Sequence, residues 1–411
     1  MNAQYLLKLF QLLATICLMW LLTGCQAKGI VNLQSGNILA SQQWQNPNDS
    51  FTLPFVWHDG HIIIALKMNN SQPLRFALDS AASATVIFET SRTQATPLKI
   101  EGQLDLNGKQ VNIVNNTRVE LGNITLSDLT VVHVPLSQNP LFSDFDSAYF
   151  DGAIGYDLFN HYNITIHYAD QLIVFSKPTT DVPMNKKDWQ HYPIALHGRI
   201  PYLKANLSNQ DNESNTYQFA IDTGAPNYIY LNEHLAQGFS FPNTTFPSHF
   251  ENFDGVQQIE TGRIKQFDLF GERFTQVSAH NLPKLEDEQG IGLVGSALLK
   301  NFDIHFNYQQ GFVAIRKNKL FNTRSLLDRS GLVLEPHTQG GIVKQIASDS
   351  HATELRINEG SIITHINKQA LTANNFDTLR NLLSSAKQSI NLCWQTDKLQ
   401  QCGDLKLFDR I

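Results

Sequence analysis

The chain has 411 residues, 42% hydrophobic and 17% charged, with a formal net charge of −6 at pH 7. That length, less a leader, suffices for two or three domains with cores of ordinary size. Mild acidity without clusters of Lys and Arg excludes nucleic acid as a partner, because neutralising phosphates requires such clusters.

In chain order, Lys8 is followed by an apolar stretch from Leu9 to Leu22 that is short for a membrane span and ends in Thr23 and Gly24 before Cys25. This is the pattern of a signal peptide. Leu22-Thr23-Gly24-Cys25 also resembles the lipobox of bacterial lipoproteins. The resemblance implies removal of residues 1–24, a lipid on Cys25 and, with Gln26 next, sorting to the periplasmic side of the outer membrane. The alternative, an uncleaved anchor helix, also puts the body outside the cytoplasm. Residues 25–49 read as a linker, and no second long apolar segment follows.

A seven-residue phrase then occurs twice. Phe76-Ala77-Leu78-Asp79-Ser80-Ala81-Ala82 is matched by Phe219-Ala220-Ile221-Asp222-Thr223-Gly224-Ala225. Apolar residues alternate up to each aspartate, the period of a half-buried strand, and small residues follow. Each acid is therefore expected where a strand stops and a tight turn begins. The repeat extends in both directions. Gly60-His61-Ile62 corresponds to Gly198-Arg199-Ile200, and Gly152-Ala153-Ile154-Gly155 to Gly292-Leu293-Val294-Gly295. Tyr162 to Phe175 matches Phe302 to Ile315, two alternating runs broken at turns, which predicts closing hairpins. Further strands are expected over Val111 to Val114, Val119 to Leu121 and Arg273 to Val277.

Two such carboxylates suggest one shared site. Brought within hydrogen-bonding distance they cannot both ionise cheaply, so the pair holds one proton and titrates as a unit. An acid, a base and a water between them suffice to hydrolyse an amide without a metal or covalent intermediate. Other chemistries find little in the sequence. The fourteen histidines form no His-Glu-x-x-His pattern and no Cys/His quartet, so neither metal nor cofactor is expected. Val294-Gly295-Ser296-Ala297 lacks the glycine framing of a nucleophile elbow, which argues against Ser296 as a nucleophile.

A strand, Asp-Thr-Gly-Ala, a mostly β stretch and then two apolar residues and glycine before a short helix resemble the retropepsin-like aspartic proteases. The likeness covers about residues 50–318, twice over. It implies a mostly β fold of two closed β-barrel lobes in tandem, residues 50–180 and 195–318, with an extended peptide held between them beneath hairpin flaps. Leu104 to Lys109 and Asn252 to Gln257 are the flap candidates. By the same resemblance Asp79 and Asp222 are the catalytic pair, and Ser80 and Thr223 interlock the lobes through their hydroxyls. Ala81, Gly224, Ala82 and Ala225 shape the turns, and Gly155 and Gly295 lie in loops passing behind the aspartates. The implied activity is endopeptidase cleavage of protein or peptide substrates. The first copy has Ala81 where the family has glycine. With negative φ and space for a methyl the change costs little, whereas a turn needing positive φ would store strain of order 1–3 kcal/mol. In the second case the chain is a catalytically impaired peptide-binding lipoprotein.

Residues 330–411 read as a separate small α+β unit. Gly341 to Ile346, then Ala352 and Leu355 to Asn358 as a small-residue helix, then Ser361 to Asn367, then Phe376 to Ala386 at helical spacing, resemble the core of PDZ domains. The resemblance implies a groove in which a chain end adds as a strand, with Gly331, Leu332 and Val333 as the loop receiving its carboxylate. Its expected role is to select or deliver substrates or to control access to the cleft. A small domain that merely packs on the lobes is the alternative. Cys393 and Cys402 flank Asp397-Lys398 symmetrically in a hairpin-like segment, so a disulfide between them is expected in an oxidising compartment, against separate thiols.

Overall fold

The computed structural model describes residues 29–38, 40–106, 108–139, 145, 148–179, 188–208, 214–232, 239, 241–242, 245–252, 255–282, 290–321, 328–347, 350–372, 375–385, 387–396 and 399–409. The expected signal peptide, residues 1–24, and Cys25 lie outside them.

The chain is mostly β. Its first half runs through a helical turn, α1 (29–35), then β1 (Ser41–Trp44), β2 (Ser50–Pro54), β3 (Val56–His58), β4 (His61–Met68), β5 (Leu74–Leu78), β6 (Val86–Phe88), β7 (Ile100–Leu106), β8 (Lys109–Leu121), β9 (Ile124–Val134), β10 (Gly152–Ile154), a four-residue helix α2 (Tyr156–Phe159), β11 (Asn163–His167) and β12 (Leu172–Ser176). The second half repeats the order: β13 (Gln190–Pro193), β14 (Ala195–His197), β15 (Ile200–Ser208), β16 (Ser214–Asp222), β17 (Ile229–Leu231), β18 (Thr245–Asn252), β19 (Gly255–Leu269), β20 (Glu272–Asn281), β21 (Gly292–Gly295), α3 (Ser296–Leu299), β22 (Phe302–Asn307) and β23 (Phe312–Lys317).

In the first lobe β4 pairs β5, β5 pairs β10, and the path continues through β6, β9 and β8 back to β4, which closes a six-strand barrel. In the second, β15, β16, β21, β17, β20 and β19 close in the same cyclic order. Even the strand directions correspond: β5 with β10 and β16 with β21 are the parallel pairs beside the aspartates. Alternation explains the closure. Ile62, Ile64, Leu66 and Met68 on β4 are at most 2% exposed, and every second side chain of a closed barrel points inward.

The halves join in a third sheet of order β13-β23-β22-β11-β12-β2, symmetric about its central pair. There Ile164 faces Phe306 and Ile166 faces Ile304. All four are fully buried, and one hydrophobic cluster runs from both barrels through this sheet. The hairpins expected over Tyr162 to Phe175 and Phe302 to Ile315 are its four inner strands.

Residues 29–44, read as linker, instead belong to the first lobe. β1 pairs β9, and Leu33 of α1, with Ile30 beside it, covers Phe88, Val111, Ile113, Val132 and Val134. Burying these branched side chains, at about 1.5–3 kcal/mol each, is what a polar linker could not do. Leu104 to Lys109 spans the β7–β8 turn and Asn252 to Gln257 the β18–β19 turn. Asn107 and residues 253–254 lie outside the described set.

The C-terminal unit is one sheet, β24 (Leu332–His337), β25 (Gly340–Ile346), β26 (Ile362–Ile366), β27 (Gln369–Ala370), β28 (Ser389–Thr396) and β29 (Leu399–Lys406), with α4 (Phe376–Leu383). It has its own core around Val343, Ile363, Leu379 and Leu392. The expected helix at Ala352 to Asn358 is a run of turns instead. Arg356 takes a left-handed φ of 58°, and so short a segment does not sustain the cost of helix nucleation. Cys393 and Cys402 face each other across β28 and β29 and are joined by a disulfide.

Candidate active site

Asp79 follows the end of β5 and Asp222 ends β16, each with its strand laid parallel to the strand that leads into Gly155 or Gly295. The two turns have the same internal bonds. Ala81 and Ala82 donate their N–H groups to Asp79 Oδ1 at 2.8 and 3.0 Å, and Gly224 and Ala225 donate theirs to Asp222 Oδ1 at 2.8 and 3.1 Å. One oxygen of each carboxyl is thereby fixed by two backbone donors. The Asp79 carboxyl lies against the Asp222 turn, where a Cβ on Gly224 would stand 2.5 Å from its Cγ, and each carboxyl acts on the ionisation of the other. The duplicated turns, far apart in sequence, therefore meet in one site.

Ser80 and Thr223 lock them together. Ser80 N–H donates to Thr223 Oγ1 at 2.9 Å and Thr223 N–H to Ser80 Oγ at 3.0 Å. The hydroxyls then donate across the interface, Ser80 to Ile221 O and Thr223 to Leu78 O, both at 2.7 Å. Both residues are completely buried, and the N–H and hydroxyl of each find their partners within the knot.

The glycines behind the turns are dictated by close approach. A Cβ on Gly155 would stand 2.0 Å from Asp79 O, and one on Gly295 2.2 Å from Asn227 O. Tyr156 N–H donates to Ala82 O at 2.9 Å and Ser296 N–H to Ala225 O at 2.8 Å, which ties each glycine loop to its turn. Ser296 Oγ donates to Ala225 O and to Gly60 O. That makes it a structural hydroxyl and not a free nucleophile.

Ala81 does not have the left-handed backbone that would have strained it, and Gly224 does not either. The extra methyl in the first copy is thus accommodated without backbone strain. Pro226, which lacks a donor, packs against Gly60 at the tip of the β3–β4 turn of the other lobe.

Burial raises the Asp79 carboxyl above the usual range, opposed by the N–H groups of Ala81 and Ala82 and by the Asp222 carboxyl. Burial and then the Asp79 charge push Asp222 well above it. A pair with both members raised holds one proton over a broad pH range and titrates as a unit. His61, whose charge acts on Asp79, is itself held below its ordinary value by burial.

Three neighbours of the site were not singled out from the sequence. Asp157 is a buried carboxylate that accepts from Thr85 N and Oγ1 at 3.0 and 2.6 Å and from Asn37 Nδ2 at 2.9 Å. An acid inside the apolar stretch Ile154 to Phe159 was its available signal. Arg199, at the β14–β15 turn, lies over the Tyr156 ring and donates to Leu33 O at 2.6 Å. Tyr308 donates its hydroxyl to Ser80 O at 2.7 Å. The recurrence of Tyr168 and Tyr308 at the same place in the repeat would have marked it.

In the C-terminal unit, Asp328 Oδ1 accepts from the N–H of Ser330 and of Gly331, both at 2.9 Å. Leu332 N–H donates to Ser330 Oγ at 3.0 Å. Of the expected loop Gly331, Leu332 and Val333, the last two open β24 and pair with Ile346 and Gln345, and the N–H groups of Gly331 and Leu332 are partnered within the preceding turn.

No family model matches the chain, and no curated protein matches it. Among solved structures it is similar to an aspartic proteinase from Irpex lacteus, with 10% identity and a TM-score of 0.43. The match covers 67% of this chain and 99% of that one. At that level of likeness, assignment rests on the site's own geometry.

Proposed function

We propose that the protein is an aspartic endopeptidase, held by a lipid on Cys25 at the periplasmic face of a bacterial outer membrane, that hydrolyses extended segments of envelope proteins. The observation that supports this reading is the meeting of the Asp79 carboxyl with the Asp222 turn, each acid oriented by two N–H donors and the two turns joined through the Ser80–Thr223 knot. Asp79, as the ionised partner, takes a proton from a water between the carboxyls. Asp222 donates its proton toward the scissile carbonyl oxygen. The resulting tetrahedral diol collapses as Asp79 gives the proton it took to the amide nitrogen, a diol hydroxyl gives its proton to Asp222 and the C–N bond breaks, which restores the starting state of the pair. The lobes are retropepsin-like in this reading and the C-terminal unit PDZ-like, selecting or delivering substrates. A chain end entering its Gly331 loop has to displace the Asp328 carboxylate.

The test is cleavage of unfolded protein by the purified full chain at acidic and neutral pH. Cleavage that disappears in Asp79→Asn and in Asp222→Asn supports the enzyme. Cleavage that persists unchanged in either variant removes it. Peptide binding without cleavage by the unaltered chain would mark a binding lipoprotein.

A further inference from the structure

Tyr308 belongs to the turn between β22 and β23 of the second lobe, yet its hydroxyl bonds to the first-lobe turn. The ring is 4% exposed and stacks on Phe159 at 5.1 Å with an interplanar angle of 22°. Its hydroxyl donates to Ser80 O. That carbonyl belongs to the same peptide group as the Ala81 N–H, which donates to Asp79 Oδ1 at 2.8 Å. A peptide group is planar, and donation to its oxygen polarises its N–H into a better donor. Tyr308, the Ser80–Ala81 peptide and Asp79 thus form a chain of two bonds through one rigid unit.

Among the described residues the second lobe shows no matching relay. Its equivalent peptide also donates, from Gly224 N–H to Asp222 Oδ1. The matching ring is Tyr168, at the turn between β11 and β12 and also 4% exposed. Its hydroxyl has no hydrogen-bond partner among the described residues. A pair that is symmetric in its backbone is therefore supported on one side only.

We propose that Tyr308 is a positioning residue which, through the Ser80–Ala81 peptide, holds the Asp79 carboxylate in place and makes Asp79 the ionised member of the pair. This rests on the reading of Asp79 and Asp222 as partners sharing one proton. The titratable groups facing the relay are Asp222 across the pair, His61 at the start of β4 and Tyr156 at the start of α2, with Arg199 over the Tyr156 ring.

Tyr308→Phe removes one hydroxyl and leaves the stacked ring. The acid limb of its kcat profile is expected to move up by about half a pH unit or more, as the weakened N–H favours the ionised carboxylate less. kcat should fall several-fold while KM stays within about two-fold. Tyr168→Phe makes the same chemical change where no bond exists, and should leave the limb in place. Carboxyl 13C titration of Asp79 reads the same shift without substrate. Replacing Tyr308 by 4-aminophenylalanine restores a donor at the ring tip and should return both readouts toward the starting values, including where Tyr308→Phe folds poorly. An unmoved Asp79 titration in Tyr308→Phe, or an equal shift in Tyr168→Phe, overturns the relay. A moved titration in a chain that cleaves nothing keeps the relay and removes the proteolytic reading.

Discussion

Adding one methyl group at Gly224 should remove most of the activity while the lobes stay folded. A Cβ built there would stand 2.5 Å from Asp79 Cγ and 2.6 and 2.9 Å from its two oxygens, whereas non-bonded carbons settle about 3.5–4.0 Å apart. Relief of that overlap needs a displacement of about 1 Å, taken up by the Asp79 carboxyl or by the loop carrying Asp222. A reacting constellation tolerates roughly 0.5 Å, and an error of about 1 Å costs on the order of 100-fold in rate. Gly224→Ala is therefore expected to lower kcat about 100-fold with KM changed only a few-fold. No backbone strain adds to this, because the residue does not occupy the left-handed region. Initial rates on a fluorogenic peptide, with thermal unfolding as the control for folding, measure both sides. Ala81→Gly is the companion variant, and its rate should stay within about two-fold because Ala81 already holds Asp79 from an unstrained turn. A Gly224→Ala protein with kcat within about three-fold of the parent would refute the steric argument, since the overlap leaves no room for so small an effect.

The knot and the buried histidines give two further expectations. Ser80→Ala leaves Ile221 O and Thr223 N–H buried without partners, so urea unfolding should show a loss of about 2–4 kcal/mol, while Thr223→Ser, which keeps its hydroxyl, should lose far less. His280 and His305 are pushed down to about 4 from 6.5 by burial, so between those values the unfolded chain binds protons that the folded chain refuses and stability falls as pH drops. Each histidine should contribute up to about 3 kcal/mol to that loss. Unfolding measured at pH 7 and pH 4.5 should show a shallower pH dependence in His280→Gln and His305→Gln than in the parent.

The duplicated phrase around Asp79 and Asp222, the glycine loops and the closing hairpins were legible because each is a local pattern of alternation and turn residues, and recurrence marked them as one unit used twice. Closed lobes were expected from the family resemblance alone, since β4–β8 and β15–β19 are pairings between distant strands whose partners no local pattern names. α1 escaped for a related reason: Ile30, Val31 and Leu33 fall within a single short helical turn, too brief to set a period, and Ile30 and Leu33 become significant only against Val111, Ile113 and Val132. The Tyr308 bond to Ser80 joins opposite lobes and is visible only once those lobes meet.

The sheet between the halves has a consequence for how such a chain assembles. Its central neighbours, β11 and β22, come from different halves and run antiparallel through a buried seam. Either half alone would therefore carry a bare strand edge with apolar residues on it, a template for pairing with a second copy of itself. Tethering the two halves in one polypeptide makes that encounter intramolecular and independent of protein concentration. It also frees the two copies to diverge, which is how Ala81 can stand opposite Gly224 in a single shared site.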